Sequence, residues 1–227
     1  MSSVPTGEKK KLPIAKLAIL GVVLAVGAVL VMRGVDLKAL KDQGFTLIRE
    51  AGPVAFFAAM AVLPAVGAPL SVFTIPAGEA FAGRLGMGGV IALAMGMIAI
   101  CLALAYWLSR YALRPLLSNL VTRYGYQVPR VTKENALSVA LLVRLTPGPP
   151  FVLQCYLLGM AEVPFALYMI VSWLAILPWA VGAIVLGQGI LNGNFKVAAV
   201  GIAVLVAAIV LVQWARKKFA KGKDAAA

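Results

Sequence analysis

Residues 51–80 read AGPVAFFAAMAVLPAVGAPLSVFTIPAGEA. The first 28 of these residues carry no charge, yet four prolines interrupt them: Pro53, Pro64, Pro69 and Pro76. Long apolar runs belong in hydrocarbon, but a clean spanning helix rarely holds so many helix breakers. The stretch therefore reads as a short helix, a break and a second short helix that leaves on the side it entered. Glu79 follows at once. A carboxylate beside broken backbone at membrane depth is expected to face protein or a watery cavity, not lipid tails. Glu79 is accordingly a candidate for binding substrate or a proton.

The rest of the chain is as apolar. Of 227 residues 62% are hydrophobic, and the mean hydropathy is +0.96. A soluble domain is closer to half apolar, so the composition excludes one and indicates an integral membrane protein. The expected fold is all-α. Four segments are long enough to span a bilayer: 13–32, 86–109, a helix within 163–195, and 197–214. A second interrupted apolar segment, 136–160, contains Arg144, Pro147, Gly148, Pro149 and Pro150. It too reads as helix, break, helix. The two interrupted segments precede spans in the same order and with opposite orientation, an arrangement expected of an inverted repeat. The backbone breakers are expected at Pro64, Pro69, Pro76 and Gly78 in the first hairpin, and at Pro147, Gly148, Pro149, Pro150 and Gly159 in the second.

Charge sets the topology. The formal net charge is +13, and the basic residues cluster in tails and loops beside apolar spans. That pattern fits topology control and attraction to anionic lipid headgroups, not nucleic acid. Residues 1–12 form a basic tail, 13–215 one membrane domain, and 216–227 a second basic tail. Both tails are expected in the cytoplasm, in the plasma or inner membrane if the host is bacterial. The first hairpin then enters from outside and the second from the cytoplasm. Stretches 37–48 and 116–124 place apolar residues on one helical face among charges, as interfacial helices do. Small residues at Gly83, Gly86, Gly89 and Gly96 allow close helix packing and leave a homo-oligomer open.

The sequence has no histidine, and Cys101 and Cys155 have neither metal-ligand nor redox spacing. No cofactor or metal is expected. Without paired carboxylates or a nucleophile–base motif, an enzyme is not expected either.

The second hairpin carries the most distinctive string: Arg144-Leu-Thr-Pro147-Gly148-Pro149-Pro150-Phe151, then Gln154-Cys-Tyr156, Gly159 and Val163-Pro164-Phe165. It resembles the VTT-domain proteins, the SNARE-associated Golgi protein family within the DedA superfamily. The first half adds Pro76-Ala-Gly78-Glu79 and the span end Tyr106-Trp-Leu-Ser-Arg110. The likeness covers about 51–190. Gln154 stands where the family has an asparagine, and the span 86–109 lacks the acid common in DedA proteins proper. The resemblance implies opposed hairpins meeting at mid-membrane and a lipid transporter, scramblase or flippase-like, acting on phospholipid or polyprenyl-phosphate headgroups. Arg144 would offer a permanently charged, phosphate-shaped donor fork, and Glu79 is expected to face it. Arg110, Gln154 and Tyr156 complete the candidate set. Two other functions fit the residues: a proton-coupled carrier of a small anion or metal-containing solute, and a non-transporting membrane scaffold.

Overall fold

The structure is a computed structural model and describes residues 37–114, 131–132, 134–146 and 149–224. For 37–42, 44–45 and 215–224 it describes the backbone alone. The expected first span (13–32), the stretch 116–124, and Pro147 and Gly148 lie outside the described residues. The chain divides into two compact units, Met1–Leu47 and Ile48–Ala227. The second unit holds every side-chain interaction described below.

All the regular elements described are helical. Helix α1 runs Leu37–Val62 and passes into a 3₁₀ turn, Leu63–Val66. Helix α2 runs Ser71–Trp107 and continues as a π-helix, Leu108–Leu113. Then come α3 (Ala136–Leu145), α4 (Phe151–Met160), α5 (Phe165–Leu191) and α6 (Phe195–Asp224). Four stretches are long and apolar enough to cross a membrane: Thr46–Val66, Ser71–Leu113, Phe165–Leu191 and Phe195–Trp214. Two of them contain the spans expected at 86–109 and 197–214, and a third, Phe165–Leu191, lies within 163–195 as expected. The fourth, Thr46–Val66, was expected to be only a hairpin arm. It gains length because helix resumes on both sides of Gly52 and carries on through Pro64 as 3₁₀ turn.

The interrupted segments are real features of the backbone, but several expected breakers do not break it. In the first segment the chain turns at 67–70, where Gly67 and Ala68 donate back to the carbonyls of Pro64 and Leu63. Pro64 starts the 3₁₀ turn and Pro69 sits in the break. Pro76 and Gly78, however, lie inside α2. One missing N–H is a small defect in a ladder whose other groups have no water to turn to. The kinks sit instead at Gly52 (φ 76°, ψ 167°) and Gly86 (φ 70°, ψ 157°). Glycine alone adopts that backbone region readily. These two bracket residues 53–85, so both arms of the segment change direction at matching points.

In the second segment α3 ends at Thr146 and α4 starts after Pro150, so Pro149 and Pro150 do lie in the break. Gly159 lies inside α4. It is small for a different reason: a Cβ there would overlap the Ser109 side chain. Gly78 has the same role, because a Cβ there would lie 2.8 Å from the Ile184 carbonyl. Each segment's second arm thus presents a glycine to the long helix that belongs with the other segment.

Packing joins the pieces. Phe56 and Phe57 of α1 meet Phe73 and Phe81 of α2, with ring centroids 5.1–5.7 Å apart where they touch. Such aromatic pairs add about 0.5–1.5 kcal/mol beyond burial alone. Helix α5 crosses α2 and is tied to its backbone: Tyr168 donates to the Leu102 carbonyl at 3.0 Å and the Trp173 indole to Met95 at 3.1 Å.

Candidate functional site

Arg144 sits in the last turn of α3, where a cation favourably meets the helix dipole. Its Nε donates to Ser172 Oγ at 2.9 Å. Nη1 donates to Gln154 Oε1 at 3.4 Å, and Nη2 to Cys155 Sγ at 3.3 Å. The guanidinium also lies 5.6 Å from the ring centroids of both Phe151 and Tyr168. All of these partners are neutral. The two ion pairs among the described residues, Arg49–Glu79 and Arg114–Glu162, leave Arg144 without a carboxylate.

A cavity of about 290 Å³ opens onto this guanidinium. Thr146, Gln154 and Ser172 give it a polar side, and Phe151, Ile176 and Trp179 an apolar one. Val212 of α6 adds to the apolar lining. Gln154 shapes the floor. Its amide nitrogen donates to the carbonyls of Thr146 and Pro149 at 3.5 and 3.3 Å, while its oxygen receives Arg144. One side chain therefore holds the broken backbone and aims the charge.

The other expected residues lie elsewhere. Glu79 does not pair with Arg144. It accepts from Arg49 Nη2 at 3.2 Å, in a separate cavity with Arg84. The reason is position along the helix. Glu79 is eight residues past Ser71, about 12 Å from the break at 1.5 Å per residue, whereas Arg144 adjoins its own break. Tyr156 donates to the Ala65 carbonyl at 2.6 Å, so it ties α4 to the 3₁₀ turn of the first segment. Arg110 donates to the Tyr106 hydroxyl at 2.6 Å, and that hydroxyl donates in turn to the Val163 carbonyl at 2.8 Å. Ser109 Oγ adds a bond to the Tyr156 carbonyl at 2.8 Å. With the Arg114–Glu162 pair, these bonds clamp the end of α2 onto the turn between α4 and α5. Arg110 belongs to that clamp and does not line the Arg144 cavity. Glu162 has a left-handed backbone, φ 58°, which marks how tightly the clamped turn bends.

Sequence reading missed Ser172, Tyr168 and Trp179 as neighbours of Arg144. A signal was present: Tyr168, Ser172, Ile176 and Trp179 recur at steps of four, four and three, one face of a helix. It also missed Arg49 as the partner of Glu79, which no local pattern marks. Among the described residues no cluster of His, Cys, Asp and Glu could hold a metal.

Residues 68–189, more than half of the chain, match the family model described as the VTT domain. No curated protein and no solved structure was found to match. The match takes in Glu79, Arg110, Arg144, Gln154 and Tyr156, and leaves Arg49 outside.

Proposed function

The chain belongs to the VTT-domain family of integral membrane proteins, the SNARE-associated and DedA group, and from that premise we propose that it transports lipid. In this reading it moves phosphate-bearing headgroups between leaflets, as a scramblase or flippase-like carrier. One observation carries the reading: Arg144 presents a permanent positive charge to a cavity, and its partners among the described residues are all neutral. The barrier to crossing a bilayer is desolvation of a charged headgroup. A guanidinium fork lowers that barrier for a phosphate by replacing its water with two directed donors. The phosphate in turn supplies the counter-charge that the protein withholds. Phe151, Ile176 and Trp179 leave the other wall apolar, which suits a headgroup whose tails stay in lipid.

The interrupted segments act as opposed re-entrant hairpins in this scheme. The bond from Tyr156 to Ala65 brings the second hairpin's arm to the first hairpin's tip. Both termini lie in the cytoplasm, with their lysines and arginines on the side the positive-inside rule favours. The partners are membrane lipids, and no chemical step is involved.

The test is fluorescent-lipid exchange in proteoliposomes containing the purified full chain. Wild-type protein equilibrates labelled lipid between leaflets, and Arg144→Gln does so roughly 10- to 100-fold more slowly. Equal exchange by the two proteins sinks the assignment. Uptake of a small anion without lipid exchange would instead make the chain a solute carrier.

A further inference from the structure

The two interrupted segments are held to the bundle in different ways. In the first, Phe56 and Phe57 of one arm pack on Phe73 and Phe81 of the other, so residues 53–85 cohere as one unit. A glycine with positive φ stands at each end of that unit, Gly52 at 76° and Gly86 at 70°. Where the unit crosses α5 the contact is close to backbone on backbone. A Cβ on Gly78 would meet the Ile184 carbonyl, and one on Gly187 would overlap the Ile75 carbonyl. No hydrogen bond or ion pair joins the two helices at this crossing among the described residues. At its mouth the unit is held by the Arg49–Glu79 pair, whose arginine is 55% exposed, and at its tip by the Tyr156 bond to Ala65.

The matching crossing of the second segment is bonded. Gly159 of α4 lies against Ser109 as Gly78 lies against α5, but there Ser109 Oγ donates to the Tyr156 carbonyl. Tyr106 donates to the Val163 carbonyl, and Arg114 pairs with Glu162 beside it. The Val131 N–H donates to the Ala161 carbonyl at 3.1 Å, and Arg144 ties α3 to Ser172 of α5. Small residues at a crossing let helices approach closely, and packed helices that do not interlock can shear past one another. Hinges are a few positions that absorb a large φ/ψ change, which glycine does most readily. We infer that the first segment is the moving part of the protein. Residues 53–85 swing as a rigid unit on Gly52 and Gly86, sliding over α5 and parting the Tyr156–Ala65 bond, while the second segment stays clamped. The Arg49–Glu79 pair latches the mouth, because it joins a residue just before one hinge to the unit between the hinges. The motion does not depend on what is carried, and so goes beyond the transport reading.

The experiment places pairs of spin labels on the full chain in lipid nanodiscs and reads their distance distributions. One pair is Val66→Cys with Ile190→Cys, the tip of the first segment against α5. The other is Leu153→Cys with Ile190→Cys, the second segment against the same reference. All three positions are exposed, whereas the native thiols of Cys101 and Cys155 are buried and escape labelling. The first pair shows two populations and the second pair one. Glu79→Gln raises the minor population of the first pair by up to about fivefold, the most that an exposed ion pair holds back. Tyr156→Phe raises it by about fivefold as well, the usual net worth of one hydrogen bond. A single narrow distance for the first pair in wild type and both variants overturns the inference, as does an equal spread in the second pair. Hydrogen exchange on the unmodified protein reads the hinges without any substitution. Amides beside Gly52 and Gly86 exchange faster than those of 161–163, which donate to the carbonyls of Leu157, Gly159 and Leu158. An equal or reversed order overturns the hinges. Lipid exchange is measured on the same proteins. Motion without lipid exchange leaves this inference standing and sinks the transport reading, and exchange without motion does the opposite.

Discussion

At the mouth of the first interrupted segment Arg49 meets Glu79 at 3.2 Å, while beside the break of the second Arg144 meets only neutral groups among the described residues. The two segments share a plan of helix, break, helix and long span. They differ in where the charge stands and whether it is compensated. The first keeps Glu79 and Arg84 about 12 Å or more along α2 from its break, and Arg49 on α1 just before Gly52. The second keeps beside the break a cation with no carboxylate partner among the described residues. An ion pair neutralises itself. A guanidinium held by neutral groups keeps a net charge. Segments of the same build therefore differ in charge: an internal ion pair at the mouth of one, and beside the break of the other a cation with no carboxylate partner among the described residues.

The strongest way to break this comparison is Arg144→Gln. Loss of a charged donor fork to phosphate costs about 1.5–3 kcal/mol, or roughly 10- to 100-fold in exchange rate. Arg144→Lys keeps the charge but not the fork and recovers only part of the rate. If Glu79→Gln slows exchange as much as Arg144→Gln does, the two segments share one task and the distinction fails.

Next in size is Gly86→Ala. A Cβ at Gly86 meets nothing within 4 Å, so the cost is conformational and not steric. Alanine at φ 70° with an extended ψ is strained by about 1–3 kcal/mol. The melting temperature in detergent falls by several degrees, and the change of direction between the two parts of α2 is lost. An unchanged melting temperature would mean that the kink is not required.

Tyr156→Phe removes the bond between the two segments while keeping the ring. The loss is about 1 kcal/mol, the usual net worth of a hydrogen bond, with the Ala65 carbonyl left short of a donor. Thermal stability falls slightly and exchange persists. Loss of exchange with unchanged stability would instead move Tyr156 into the substrate path. Smaller still is the effect of the Arg49–Glu79 pair on stability. Arg49 is 55% exposed, so the pair contributes at most about 1 kcal/mol. The double exchange Arg49→Glu with Glu79→Arg recovers part of the stability that the single changes lose, and no recovery would mean that the pair contributes nothing.

The residues that the sequence read well are those whose meaning is local. Hydropathy and length found the spans that α2, α5 and α6 contain. Pro149 and Pro150 marked a true break, because two prolines together deny helix to the residues before them. Arg144 stood out as a charge in an apolar run. What failed was long-range. Nothing near Glu79 in sequence says that its partner is Arg49, thirty residues back, because the two meet only after the first segment folds on itself. Gly78 and Gly159 looked like backbone breaks, but they are crossing points, set by Ile184 and Ser109 far along the chain. Composition cannot tell these two uses of glycine apart.

Pro76 gives the finest test of that lesson and the smallest expected effect. If it were a hairpin breaker, Pro76→Ala would let the helix extend and reorganise the segment. In the structure α2 already runs through it. The alanine variant gains one hydrogen bond to the Val72 carbonyl, worth about 1 kcal/mol. It also releases the restraint that proline places on the unfolded chain, which costs about 0.4–1 kcal/mol. The two nearly cancel, so the melting temperature moves by only a few degrees in either direction and exchange is unchanged. A large loss of either would return Pro76 to the breakers and move the turn of the first segment toward Glu79. The charge pair would then stand beside a break, as Arg144 does, and the contrast between the two segments would close.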